Sequence, residues 1–399
     1  MLARAGGESV GRTGFTVWLV VFLDLLGFGV VIPLLPFYAE RHGASAMAVT
    51  GLMAIYSLAQ FLGAPAWGAL SDRVGRRPVL LWSIAATATC LAGFAAADSL
   101  AMLFLWRGLH GLATANLSVA QASLADVTPP ERRAAAMGMI GVAFGLGFTA
   151  GPVLGGLVSR WGLTAPLWLA AGLSALNWLV ALATLRETRH PGGPSTERSL
   201  RPATWVRALR HPRVGACIGL TAGLTAAFAL MESTFALFAG QRLGMGPSEV
   251  GGLFGLAGLT TIVTQGWAVR RLVDRFGEQP LVPIGMVLLA LSVGALPFVP
   301  AGGVAIVFCA MAAGQGLASP SLSGVISRGA GEDQGLVLGV NQSMAALGRV
   351  VGPATGGWLF VAWGPEAPFV AAAVLLVATG VASFPALSRT REGMTASGV

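Results

Sequence analysis

The motif Gly147-x-x-x-Gly151-Pro152-x-x-Gly155-Gly156 returns as Gly348-x-x-x-Gly352-Pro353-x-x-Gly356-Gly357, with every shared position moved on by 201 in a chain of 399 residues. Both copies sit inside long apolar runs. A repeat at half the chain length within such sequence means two like halves joined in tandem. Membrane proteins of that design are mostly carriers whose halves rock against each other.

Hydrophobic residues make up 55% of the chain and charged residues 11%, against about 25% charged in soluble domains. Twelve apolar runs, each near the roughly 20 residues that cross a bilayer, cover 14–38, 47–69, 78–97, 100–124, 134–158, 164–186, 213–239, 249–270, 278–299, 301–326, 335–361 and 366–387. The alternating ten-residue segments of a membrane β-barrel do not occur. The expected fold is an all-α membrane protein with twelve transmembrane helices in two pseudo-symmetric six-helix bundles, 1–186 and 213–399. A cytoplasmic linker at 187–212, rich in Arg, Pro, Gly and Ser, would join them.

The first run carries Asp24 and no small-residue cleavage site, so it reads as a retained span and not a signal peptide. Cys90, Cys217 and Cys309 lie in runs and give neither a disulfide framework nor a metal-ligand spacing. The net charge of +8 invites a nucleic-acid partner, but its distribution argues for orientation instead. All 25 basic residues are Arg. With both termini cytoplasmic, only Arg41, Arg160 and Arg242 fall in outer loops, and Arg107 and Arg349 within spans. That is the positive-inside pattern of a cell-membrane protein.

A second repeat has nearly the same displacement: Leu70-Ser-Asp72-Arg73-Val-Gly75-Arg76 and Leu272-Val-Asp274-Arg275-Phe-Gly277-Glu278 lie 202 residues apart. No soluble domain or phosphate-loop motif stands ready to hydrolyse ATP. Work must come from an ion gradient, or the protein only equilibrates its solute. No cofactor is expected, and no paired-carboxylate, metal-spaced His or nucleophile-elbow motif suggests an enzyme.

Gly68-x-x-x-Asp72-Arg73-x-Gly75-Arg76-Arg77-Pro78 resembles the cytoplasmic loop signature of the major facilitator superfamily. Gly68 and Gly75 would let the backbone turn tightly. Asp72 would cap the next segment or pair with an Arg across the contact between halves, while Arg73, Arg76 and Arg77 stand at headgroup level. The loop is either a latch for the outward-open state or a plain basic inner loop. The Gly151-Pro152 motif resembles the fifth-span antiporter motif of the same superfamily. Small residues bring helices close and Pro removes a backbone bond. The resemblance implies a helix tight enough to limit proton leak; simple close packing explains the residues as well.

Ionisable residues inside spans cost about 2.5–3.5 kcal/mol, so each is a functional candidate. Asp24, in Phe22-Leu-Asp24-Leu-Leu-Gly27, resembles the first-span motif of tetracycline-type and multidrug antiporters. Arg107, in Trp106-Arg107-Gly-Leu-His110, is similar to the fourth-span motif whose Arg takes part in proton coupling. The two would pair, and protonation of the acid would release the base. Glu232 in the seventh span would carry a proton, meet a cationic solute, or pair with Arg349. Asp126, with Arg132 and Arg133, reads as a loop cap after the fourth span. His110 reads as an interior residue. Tyr56, Gln60 and Trp106 would line the cavity, with Asn116, Gln315, Asn341 and Arg349 as further solute contacts. Gln121, Asn177, Gln265 and Gln342 are polar residues of the same kind, mostly structural.

The resemblance points to the tetracycline-resistance-like branch of drug–proton antiporters. That branch's tetracycline exporters carry acids in the third and ninth spans, whereas 79–97 and 280–297 here contain none. Tetracycline itself is therefore not the expected cargo; a lipophilic, drug-like compound is, cationic ones included. The rival reading is a proton-coupled symporter importing a small metabolite. The expected partners are a small-molecule substrate, protons and the bilayer, with no nucleic acid, and the chain is expected to act as a monomer.

Overall fold

The structure, a computed structural model, describes residues 2–114, 116–128, 133–188, 212–329 and 334–388, without the side chains of 2–13, 116, 133–138, 144, 212–213, 329, 334–336 and 384–388. Most of the expected linker, and the side chains of Arg132 and Arg133, lie outside the described residues.

Among the described residues the secondary structure is entirely helical: α1 Leu2–Val31, α2 Leu35–Arg41, α3 Ala46–Val74, α4 Arg76–Ala95, α5 Leu100–Ala113, α6 Asn116–Val127, α7 Arg133–Val158, α8 Ala165–Thr184, α9 Pro212–Leu243, α10 Pro247–Val263, α11 Val269–Phe276, α12 Leu281–Ala295, α13 Val304–Gly329, α14 Gln334–Trp363 and α15 Ala367–Ser388. A π-helical turn, Thr264–Ala268, joins α10 to α11. Each of the twelve expected runs overlaps a described helix. Nine of the described helices are long and apolar enough to cross a membrane. The fourth run falls outside that set because the helix stops at Ala113, where Thr114 turns its backbone to an extended ψ of 98°. The eleventh run, within α14, is not among the nine either, and the twelfth contributes only a shorter apolar helix, Ala367–Ser383.

By compactness the chain forms two units. The first is 1–45, 55–197 and 245–258; the second is 46–54, 198–244 and 259–399. Thus the first turns of α3 group with the second unit, and the start of α10 with the first.

In the first unit α1 is the hub. Its Val17, Val20, Val21 and Leu25 pack with Val79, Leu80 and Ile84 of α4 and Val119 and Leu124 of α6. Asn177 of α8 donates its amide to the Val20 carbonyl at 3.0 Å, so this polar residue is spent on helix pairing. In the second unit α9 has the same place, with Phe235 against Phe308 (ring centroids 4.4 Å apart) and Phe238 against Phe369 (4.9 Å). On α5, Leu105, Leu109 and Leu112 remain exposed at helical spacing, an apolar stripe suited to lipid.

Candidate functional site

The repeated glycine motif does the same work in both units. A Cβ on Gly147 would fall 2.7 Å from the Leu25 Cβ, and one on Gly151 2.7 Å from the Gly29 Cα, so α7 lies backbone to backbone on α1. In the second unit a Cβ on Gly348 would meet the Ala222 carbonyl at 2.8 Å and one on Gly352 the Ala226 carbonyl at 2.5 Å, seating α14 on α9. Real side chains never approach so closely; only glycine permits these crossings. The final doublets divide their labour. Gly155 faces Val30 of α1, while Gly156 faces Ser248 and Gly251 at the start of α10. Likewise Gly356 faces Leu230 and Ser233 of α9, while Gly357 meets Met47 and Thr50 at the start of α3. Pro152 and Pro353 sit inside their helices, the first against Gly29.

Arg107 is 3% exposed. Its guanidinium lies over the Tyr56 ring at 4.4 Å and the Phe28 ring at 5.7 Å. Stacking on rings suits a weakly hydrated guanidinium. His110, one turn along α5, meets Tyr56 edge-on at 5.0 Å. The expected Asp24–Arg107 pair is not formed: among the described residues Arg107 makes no ion pair, and its Nε has no hydrogen-bond partner. Asp24, half-buried, precedes Phe28 by one turn of α1 and has contacts of its own. Gln60, half-buried, follows Tyr56 by one turn. Trp106 points elsewhere, its ring filling the space left by Gly93 of α4.

Glu232 is half-buried on α9, and Arg349 stands on α14. Gln315 and Asn341 each keep a buried side-chain oxygen without a hydrogen-bond partner. The side chain of Asn116 lies outside the described residues.

The basic loop is organised more fully than its sequence suggested. Gly68 lies inside α3 with nothing near its Cβ position, so the turn belongs to Gly75 alone, at φ +114°. Arg76 binds Asp72 at 2.7 Å, Asp126 of α6 at 3.1 Å and the Ser71 hydroxyl at 2.6 Å. Asp126 is thus a partner of the loop and not a cap; the charges were visible, but 50 residues separate them. In the sequence Glu187 marks only the start of the linker. Its carboxylate accepts from the backbone N–H of Arg76 at 2.9 Å and of Arg77 at 3.1 Å, capping α4 from a distance. A carboxylate at a helix N-terminus meets orphan donors and a favourable dipole. Arg77 returns the favour at the other helix, donating to the Leu185 and Leu182 carbonyls at the end of α8 at 2.8 and 3.1 Å.

A family model described as Major Facilitator Superfamily matches residues 17–332 and 247–397. The chain is 32% identical over 389 residues to the class C tetracycline resistance protein of Escherichia coli, covering 92% of this chain and 94% of that one. It is 26% identical over 350 residues to multidrug resistance protein 2 of Bacillus subtilis, 85% and 86% covered. Among solved structures it is similar to the human organic anion transporter MFSD10 (TETRAN), with a TM-score of 0.72 and 27% identity over 95% of this chain and 99% of that one.

Proposed function

Because the chain belongs to the Major Facilitator Superfamily, we propose that it is a secondary active transporter of the cell membrane, both termini cytoplasmic, exporting a lipophilic compound by proton antiport with alternating access. The 1–186 and 213–399 bundles act as the two halves. The reading is carried by Glu232, an acid set in the apolar span of α9. Protonation there removes a charge from an apolar setting, and loss of the proton restores it. Asp24, one turn from the ring beneath Arg107, is the acid assigned to the first half. The similarity to tetracycline and multidrug resistance proteins supports export. One charge moved through 100 mV supplies about 2.3 kcal/mol, about a 50-fold gradient per coupled proton.

Transport in proteoliposomes under an imposed pH gradient tests this. Wild type should move solute against the proton flux, and Asp24→Asn and Glu232→Gln should each lose the gradient's drive. Accumulation with protons moving in the same direction would overturn antiport, and full gradient-driven transport by both variants would overturn the assigned acids.

A second reading of the cargo has its own observation. Arg107 is a buried cation without a carboxylate partner among the described residues, and a similar solved protein is an organic anion transporter. An anionic cargo would be held by Arg107 between Tyr56 and Phe28. Competition by anionic against cationic aromatic compounds separates the two cargo classes.

A further inference from the structure

The hydrogen bond that ties α8 to α1 leaves an atom over. Asn177 is fully buried and gives its amide nitrogen to the Val20 carbonyl at 3.0 Å. A carbonyl only accepts, so the contact fixes which end of the amide is which. The other end is the oxygen, and among the described residues it has no partner. In the helix ladder the Val20 carbonyl meets the Asp24 N–H, which sets this amide beside Asp24. One turn back along α8, Ser174 is 1% exposed, and its hydroxyl also lacks a partner there. It faces Gly27, where a Cβ would fall 3.5 Å from the Ser174 Oγ. Asp24 lies between Val20 and Gly27 on the same side of α1.

A third oxygen comes from α4. Its first turn meets the end of α8, where Arg77 donates to the Leu182 and Leu185 carbonyls. Thr87 lies ten residues on from Arg77, and Ser174 eight back from Leu182. Those are rises of about 15 and about 12 Å, so the two residues stand level. Thr87 is 4% exposed, and its hydroxyl is unpartnered among the described residues. Toward the start of α4 this layer is bounded by the apolar cluster of Val17, Val20, Ile84 and Ala181.

Two demands meet here. A carboxylate inside a span is costly until it is neutralised, and so is every buried oxygen without a partner. A proton on Asp24 removes the charge but has one bond to give, which leaves two of the three oxygens unpaired. A water would bridge the oxygens but brings no charge. A small cation answers both demands, since all four groups can turn lone pairs toward it. The donors are all oxygen, which suits a hard ion, and a single carboxylate balances a single charge.

We propose that Asp24, Thr87, Ser174 and Asn177 form a sodium site inside the first unit. The carboxylate supplies the charge, and Thr87 Oγ1, Ser174 Oγ and Asn177 Oδ1 complete the shell. Short side chains on packed helices make that shell small, which favours sodium over the potassium that wide carbonyl rings hold. The site goes beyond proton antiport by giving the same acid a second counter-ion.

Radiolabelled sodium and the full-length protein in nanodiscs test the assignment at one fixed pH. Wild type should bind sodium saturably, and sodium should raise its melting temperature by a few degrees over potassium at equal ionic strength. Asp24→Asn should abolish binding. Ser174→Ala and Thr87→Val each remove one oxygen and should weaken binding about tenfold, the worth of a bond to a charged group. Both keep the Asn177 bond to Val20, so without sodium they should melt within a few degrees of wild type. Ser83→Ala removes a hydroxyl already bonded to the Ala113 carbonyl and should bind sodium as wild type does. Sodium bound no better than potassium, binding retained in Asp24→Asn, or equal losses in Ser83→Ala and Ser174→Ala would each overturn the site. Transport is read separately. Proton-driven transport lost in Asp24→Asn, with no sodium bound by wild type, leaves antiport standing and overturns the sodium site. Sodium bound by wild type, with proton-driven transport intact in Asp24→Asn, supports the site and removes Asp24 from proton coupling.

Discussion

Glu278 and Arg328 pair at positions each 202 residues beyond Arg76 and Asp126, which pair in the first unit, so the same contact is made twice with its signs exchanged. Conservation of place with reversal of charge shows that what the fold needs at this point is attraction, not a particular acid or base.

The two pairs should differ in strength. The Arg76 side chain is 12% exposed and bridges two carboxylates, whereas that of Arg328 is 64% exposed. Arg76→Ala should cost about 1–3 kcal/mol and Arg328→Ala at most about 1 kcal/mol. Thermal unfolding in detergent reads the difference. Reversing both charges, as Glu278→Arg with Arg328→Asp, should restore what either single change loses.

Glycines of the repeated motif should tolerate no side chain, while glycines in open space should. Gly151→Ala and Gly352→Ala force Cβ atoms against neighbouring backbone and should cost about 1–3 kcal/mol each by overpacking. Gly172→Ala, with nothing within 4 Å, should gain up to about 1 kcal/mol of helix propensity. Equal melting temperatures for the two classes would refute the close crossings.

Glu187 should matter more than a linker residue ought to. Glu187→Ala removes the acceptor for two backbone N–H groups of α4 and should cost about 0.5–2 kcal/mol, the range of a lost helix cap. Because Arg77 ties the same two helices from the other side, the Glu187→Ala and Arg77→Ala losses should not add. A double-mutant cycle by thermal unfolding measures the coupling.

Arg107 should resist exchange for Lys. The ammonium lacks the flat face that lies over Tyr56 and is more strongly hydrated. Arg107→Lys should lower transport about tenfold, the worth of a desolvated cation–π contact of about 1–2 kcal/mol. Phenylalanine at Tyr56 keeps the ring and should preserve most activity.

What was legible before the structure follows from the range of the interactions involved. Span positions, the repeat and the basic loop are written in contiguous apolar runs and local spacing. The repeat even located the helix crossings, because Gly147, Gly151 and Gly155 share one face. Contacts between distant segments were not legible. Asp126 carried no local sign of Arg76, Glu187 lies 111 residues from the helix that it caps, and nothing local placed Arg107 over the Tyr56 ring. Gly68 misled for a simpler reason: glycine is as much at home in a close-packed helix as in a turn, and only Gly75 adopts a positive φ.

The paired glycines at the ends of the two motifs carry a mechanical consequence. Neighbouring residues on a helix point about 100° apart, so bare backbone at both Gly155 and Gly156 presses α7 against two different helices at once, as Gly356 and Gly357 press α14. A roll of either helix by a single residue would swing a methyl or larger group into one of those crossings. Rolling is thereby blocked while tilting about the smooth contact is not. Whatever motion these helices make in a working cycle should be that of a rocker on a pivot, with no turning of the screw.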